Sequence, residues 1–84
     1  MKWVYNDGED GLGSRWRFVD DDGAWFAVAH EASCKILFRK TDDLDRHIFG
    51  TIDKAKAFIE YVYAYNKVTG EWPTREQFDQ HLLT

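Results

Sequence analysis

Few residues in this sequence have the types needed for chemistry, and their spacing is irregular. His30 and Cys34 stand four apart. A thiol beside an imidazole can act as a nucleophile or supply half of a metal site. That spacing brings two side chains together on a helix. Here the pair instead flanks Glu31-Ala32-Ser33, a break between two extended segments. A structural metal site needs four nitrogen or sulfur ligands. Only Cys34, His30, His47 and His81 are on offer, at spacings that match no finger or knuckle. A small enzyme using Cys34 and His30 is thus a second alternative, and the expectation is no enzyme, no metal and no cofactor.

Carboxylates are plentiful, in two runs: Asp20, Asp21 and Asp22, then Asp42, Asp43 and Asp45. A general acid–base pair needs two carboxylates in contrasting environments, and a run within a turn places them all in water. The first run also lacks calcium-loop spacing, because Ala24 stands where a third oxygen ligand belongs and no glutamate follows at loop position twelve. Gly8, Gly11 and Gly13 cluster in a turn, but no Lys-Ser/Thr and no helix follows to make a phosphate cradle. What the aspartates offer is two acidic surfaces aimed at a basic partner.

Arg15-Trp16-Arg17-Phe18 interleaves bases with aromatics. With Trp25, Phe26, Lys35, Arg39 and Lys40 it could form a stacking platform for single-stranded nucleic acid. In an extended segment, however, Trp16 and Phe18 fall opposite the arginines. A core face with a basic outer face explains the same letters.

The elements that position these residues change character midway. Residues 1–50 hold five of the six glycines and alternate apolar with polar positions. Four strands are expected, over Lys2–Asn6, Arg15–Asp20, Ala24–His30 and Cys34–Lys40. Short turns join them into an antiparallel meander, with Asp22-Gly23 as the hairpin signal. In the third strand Trp25, Ala27 and Ala29 oppose Phe26, Val28 and His30, so both faces are apolar. The strand is either central and covered on both sides, or its second face is a binding surface.

Residues 51–84 repeat at helical spacing. Thr51 or Asp53 can cap a helix running to about Thr69, with Ile52, Ala55, Ile59, Val62 and Asn66 along one stripe and Phe58 and Tyr65 widening it. Gly70 suits the position after its end. Tyr63 falls opposite Tyr61 and Tyr65, and is expected to be exposed or covered by a following helix. Thr74-x-x-Gln77 is a capping box that opens a second, short helix from Arg75 to about Leu83.

The stretch from Phe58 through Gly70-Glu71-Trp72-Pro73-Thr74-Arg75 to Phe78 resembles the opening of the winged-helix DNA-binding domain of the SOS-repressor type. The resemblance covers some 20 residues and rests on a helix, a glycine turn and a Pro-Thr-Arg start. In that family a third helix enters the major groove. None follows here, so the likeness implies shared helix–turn–helix packing rather than membership.

Eighty-four residues make one domain, 1–84, with the sheet in 1–40 and two helices in 51–84. Fourteen aromatics exclude a disordered chain, and a single cysteine excludes a disulfide framework. No apolar run is long enough for a membrane span. The net charge of −4 argues against a general nucleic-acid binder. One cysteine and no apolar leader point to the cytoplasm. The expected fold is α+β: a four-stranded antiparallel meander, one long helix packed on it and a short C-terminal helix, with helix swapping into a dimer as the variant.

The expected function is binding, by masking a macromolecular partner. In size, charge and lack of catalytic motif the chain is similar in profile to small phage or mobile-element inhibitors, such as anti-CRISPR proteins, and to antitoxin and immunity proteins. The expected partner is a protein with a basic surface. It would meet Asp20, Asp21, Asp22, Asp42, Asp43 and Asp45, with Trp25, Tyr63 and Trp72 as aromatic anchors. The alternative is a nucleic-acid module using Arg15, Arg17, Lys35, Arg39 and Lys40. A homodimer is compatible with either.

Overall fold

A computed structural model of the chain describes residues 2–9, 11, 13–41, 44, 50–74 and 76–77. Alternating side chains and glycine turns build four antiparallel strands in the order β1 (Lys2–Asn6), β2 (Arg15–Val19), β3 (Trp25–His30) and β4 (Ile36–Phe38). The meander is the expected one, with β4 shorter than its alternation suggests. Its start is delayed by Cys34, which takes a left-handed conformation at φ 58 and closes the β3–β4 turn by donating its N–H to the His30 carbonyl. At the β1–β2 turn only glycine fits position 8. Its φ is +88, and an added Cβ would lie 2.9 Å from the Gly13 carbonyl carbon.

The long helix α1 spans Ile52–Thr69. The Thr51 hydroxyl accepts from the Lys54 N–H, and Gly70, at φ 75, donates to the Asn66 carbonyl. Both ends are those the sequence signals predict. Ala55, Phe58, Ile59 and Val62 are buried against Phe18, Ala27, Ala29, Ile36 and Phe38 of the sheet, and Leu44 closes the cluster. The alanines of β3 let the helix approach closely. The shortest dimension of the molecule is 19 Å, the thickness of one sheet and one helix layer.

The second helix expected over 75–83 lies largely outside the described residues. Its capping box is present: the Thr74 N–H donates to the Gln77 side-chain oxygen at 2.8 Å, and the Gln77 N–H donates to the Thr74 hydroxyl at 3.2 Å.

One expectation about β3 is overturned. The β2–β3 register slips between Phe18 and Val19, so that Phe18 pairs with Ala27 but Val19 with Trp25. Phe26 is the extra residue of this bulge. A bulge re-aims the side chains beside it. Phe26 therefore turns to the helix side, where it meets Phe18, Phe38, Tyr63 and Trp72, while Trp25 shares the opposite face with Val19.

Candidate functional site: the open face of the sheet

Pairing the strands sorts every side chain onto one of two faces. Trp3, Trp16, Phe18, Ala27, Ile36 and Phe38 lie toward α1. On the other face one row crosses all four strands: Val4, Arg17, Val28 and Leu37. A second row runs Asn6, Arg15 and His30, and His30 bonds through its backbone N–H to the carbonyl of Lys35, the residue just before β4. A third row holds Lys2, Val19 and Trp25. Among the described residues no helix or strand covers this face. Among the described residues the third strand is thus an inner strand with one face under α1 and one that no helix or strand covers, on which Val28 is nonetheless buried between its neighbours.

The chemistry of the open face is one-sided. Lys2, Arg15, Arg17 and Lys35 are basic and no acidic residue shares the rows, although the chain as a whole is acidic. Arg17 stands in the aliphatic row. Its Nε is buried and has no hydrogen-bond partner, and a buried donor without an acceptor is destabilising by about 1–3 kcal/mol. His30 is held below its usual value of 6.5, first by partial burial and then by Arg15 and Lys35. Its imidazole is therefore neutral near pH 7. Half-buried Trp25 borders the rows.

The predicted site residues divide. Arg15, Arg17, Lys35 and Trp25 come together on this face. Arg39 and Lys40 do not; they stand at the end of the sheet beside Tyr63 and Lys67 of α1. Tyr63 is not a free anchor, because it packs edge-on against Phe18 at 5.4 Å and Phe26 at 5.1 Å. Trp72 is likewise engaged, stacked on Phe26 at 5.5 Å.

Within the acidic turn Asp20 caps the backbone, while Asp21 and Asp22 are exposed. One Asp20 carboxylate oxygen accepts from the N–H groups of Asp22 and Ala24. Asp21 is held below the usual carboxylate value by a hydrogen bond from the chain's terminal amine, by that amine's charge, and more weakly by Lys67. Asp42, Asp43 and Asp45 lie outside the described residues, as do His47 and His81.

Cys34 and His30 are split by the sheet. His30 belongs to the open face, whereas Cys34 packs against the helix-side core and directs its thiol to the Glu31 carbonyl at 4.0 Å. Among the described residues no group of three or more His, Cys, Asp or Glu could hold a metal ion. No helix among them is long and apolar enough to cross a membrane.

Sequence reasoning missed the aliphatic row as a row across four strands, and weighed His30 as a nucleophile's partner or metal ligand and as one residue of the third strand's second face. Alternation in β1, β2 and β4 carried the signal for Val4, Arg17 and Leu37. Comparison with known protein families, with curated proteins and with solved structures finds no match to this chain.

Proposed function

We propose that this is a small binding protein that acts by masking a macromolecular partner, without catalysing a reaction, and that the open face of the sheet is the masking surface. The observation that supports it most is the unpartnered Arg17 Nε within an aliphatic row on a face that holds, among the described residues, four bases and no acid. Charge complementarity then selects the partner: a protein presenting carboxylates around an apolar centre. This reading replaces the expected basic partner with an acidic one; of the turn's aspartates, Asp20 has one carboxylate oxygen engaged within the turn, while Asp21 and Asp22 are exposed.

Two other occupants fit less well. A second copy placed face to face would oppose Arg15, Arg17 and Lys35 to themselves. Nucleic acid would find cations but only Trp25 to stack on, because the middle of the face is aliphatic. The mode of action is that of phage-borne inhibitors, anti-CRISPR proteins among them, and of antitoxin and immunity proteins. A cytoplasmic setting suits the free thiol of Cys34.

Four strands give a face of roughly 14 by 16 Å, well short of the ~800 Å² one partner contributes to a standard interface. It is the centre of the contact, with the turns as its rim.

The test compares charge reversals after the partner has been captured and identified. Arg17→Glu with Lys35→Glu should weaken binding by about a hundredfold or more. Neutralising Asp20, Asp21 and Asp22, or Asp42, Asp43 and Asp45, to asparagine should change it by less than about threefold. Release by the aspartate changes instead would overturn the reading. So would binding confined to DNA or RNA oligonucleotides and falling steeply with salt.

A further inference from the structure

The β2–β3 bulge has a second consequence, at the end of the sheet rather than on its open face. By turning Phe26 toward the helix it gives an apolar floor to a pocket between the Asp20 turn, the end of β4 and the last turns of α1. The pocket is lined by Asp20, Phe26, Arg39, Lys40, Tyr63 and Lys67, with Asn66 at its rim.

Its volume is about 60 Å³. One water needs roughly 10–15 Å³ on this scale, so the space suits a group of about four oxygens. Three cations face one carboxylate there. The Asp20 carboxylate uses one oxygen on the backbone N–H groups of Asp22 and Ala24, at 2.9 and 3.1 Å. The Arg39 Nε donates to the Trp25 carbonyl at 2.7 Å. That bond orients the guanidinium while taking one of its five N–H donors. Lys67 lies over the Tyr63 ring, its ammonium 5.2 Å from the centroid.

The helix C-terminus would ordinarily repel an anion. Here its carbonyls are partly satisfied: Gly70 N–H donates to Asn66 O, and the Thr69 hydroxyl donates to Tyr65 O. Asp21 in the turn also feels the Lys67 charge, though weakly.

We propose that this pocket binds a phosphate-sized oxyanion, held by Arg39, Lys40 and Lys67 over the Phe26–Tyr63 floor. The bulge, the Arg39–Trp25 bond and the helix cap set the end of β4, with Arg39 and Lys40, and the last turns of α1, with Lys67, around one pocket. The inference is independent of what the open face binds.

The experiment is an amide chemical-shift titration of the whole chain with inorganic phosphate and, separately, methyl phosphate, against sodium chloride at matched ionic strength. The expected result is a saturable shift at Phe26, Arg39, Tyr63, Asn66 and Lys67 that chloride does not reproduce. Tighter binding of methyl phosphate assigns the site to a phosphorylated molecule; tighter binding of inorganic phosphate assigns it to the free ion. Lys40→Glu with Lys67→Glu, both exposed positions, should raise the dissociation constant at least about tenfold while preserving the dispersion of the remaining amides. Shifts spread equally to Lys2 and Lys35, no saturation, or an unchanged constant in the double variant would overturn the proposal.

Discussion

The two faces of the sheet are built from the same four strands, one residue out of step, and they are chemically opposite. The helix-side face alternates large aromatics with the alanines of β3, a relief into which Phe58, Ile59 and Val62 fit. The open face sets short aliphatics beside arginine and lysine stems, and one buried guanidinium nitrogen there has no acceptor. A face that had only to meet water would carry mixed charges and would not bury a donor unsatisfied. The difference between the faces is that between a surface packed under α1 and one that no described helix or strand covers.

Four measurements break or sharpen that contrast. The largest effect is expected from paired truncations in β4. Ile36→Ala removes a fully buried side chain from the helix side and should lower stability by about 2–5 kcal/mol. Leu37→Ala, its neighbour on the open face, should cost about 1 kcal/mol. Chemical denaturation reads both; equal losses would mean that the open face is covered.

Next come the two tryptophans. Trp72→Ala loses its stack on Phe26 and its edge contact with Phe38, a loss of about 2–3 kcal/mol. Trp25→Ala should cost about 1 kcal/mol in stability, yet weaken the captured partner by about tenfold or more. The reverse pattern in thermal melts and binding isotherms would exchange the roles assigned to them.

Arg17→Met should raise the unfolding free energy by about 1 kcal/mol, because it replaces an unsatisfied buried donor with an apolar chain of similar length. It should also weaken partner binding. A destabilised Arg17→Met would show that the arginine serves the fold rather than the interface.

The smallest effect is the response to pH. The folded state holds the His30 pKa below 6.5. As pH falls through 6.5 the unfolded chain therefore takes up the proton first. His30 contributes no loss of stability above that value and an increasing one below it, until the folded state is protonated too. His30→Gln should flatten this slope in pH-dependent melts. An acidic partner over Arg15 and Lys35 opposes the same depression, so binding should tighten as pH falls through the window, and binding unaffected by pH would remove His30 from the interface.

Much of this was readable beforehand, for physical reasons that differ from place to place. Thr51, Gly70 and the Thr74–Gln77 box act through bonds spanning three or four residues, so their local sequence suffices. Alternation in β1 and β2 is likewise local, and it separated Trp16 and Phe18 from Arg15 and Arg17. The Asp20 turn is legible as a turn, but the two backbone N–H groups that one Asp20 oxygen accepts from are not. Phe26 and Trp25 were assigned to the wrong faces because a bulge adds a residue without marking the sequence. Tyr63 and Trp72 were taken for free aromatics because their partners come from other elements.

The sequence by itself determined the elements, their ends, the order of the meander and the helix stripe, since each depends on the periodicity of a few neighbouring residues. The tertiary structure alone decided which face of the sheet the helix covers, that Arg15, Arg17 and Lys35 share the face left open, that His30 and Cys34 are parted by the sheet, and that Arg39, Lys40 and Lys67 converge. Those outcomes depend on strand register and on one bulge, and register is set between segments distant in the chain.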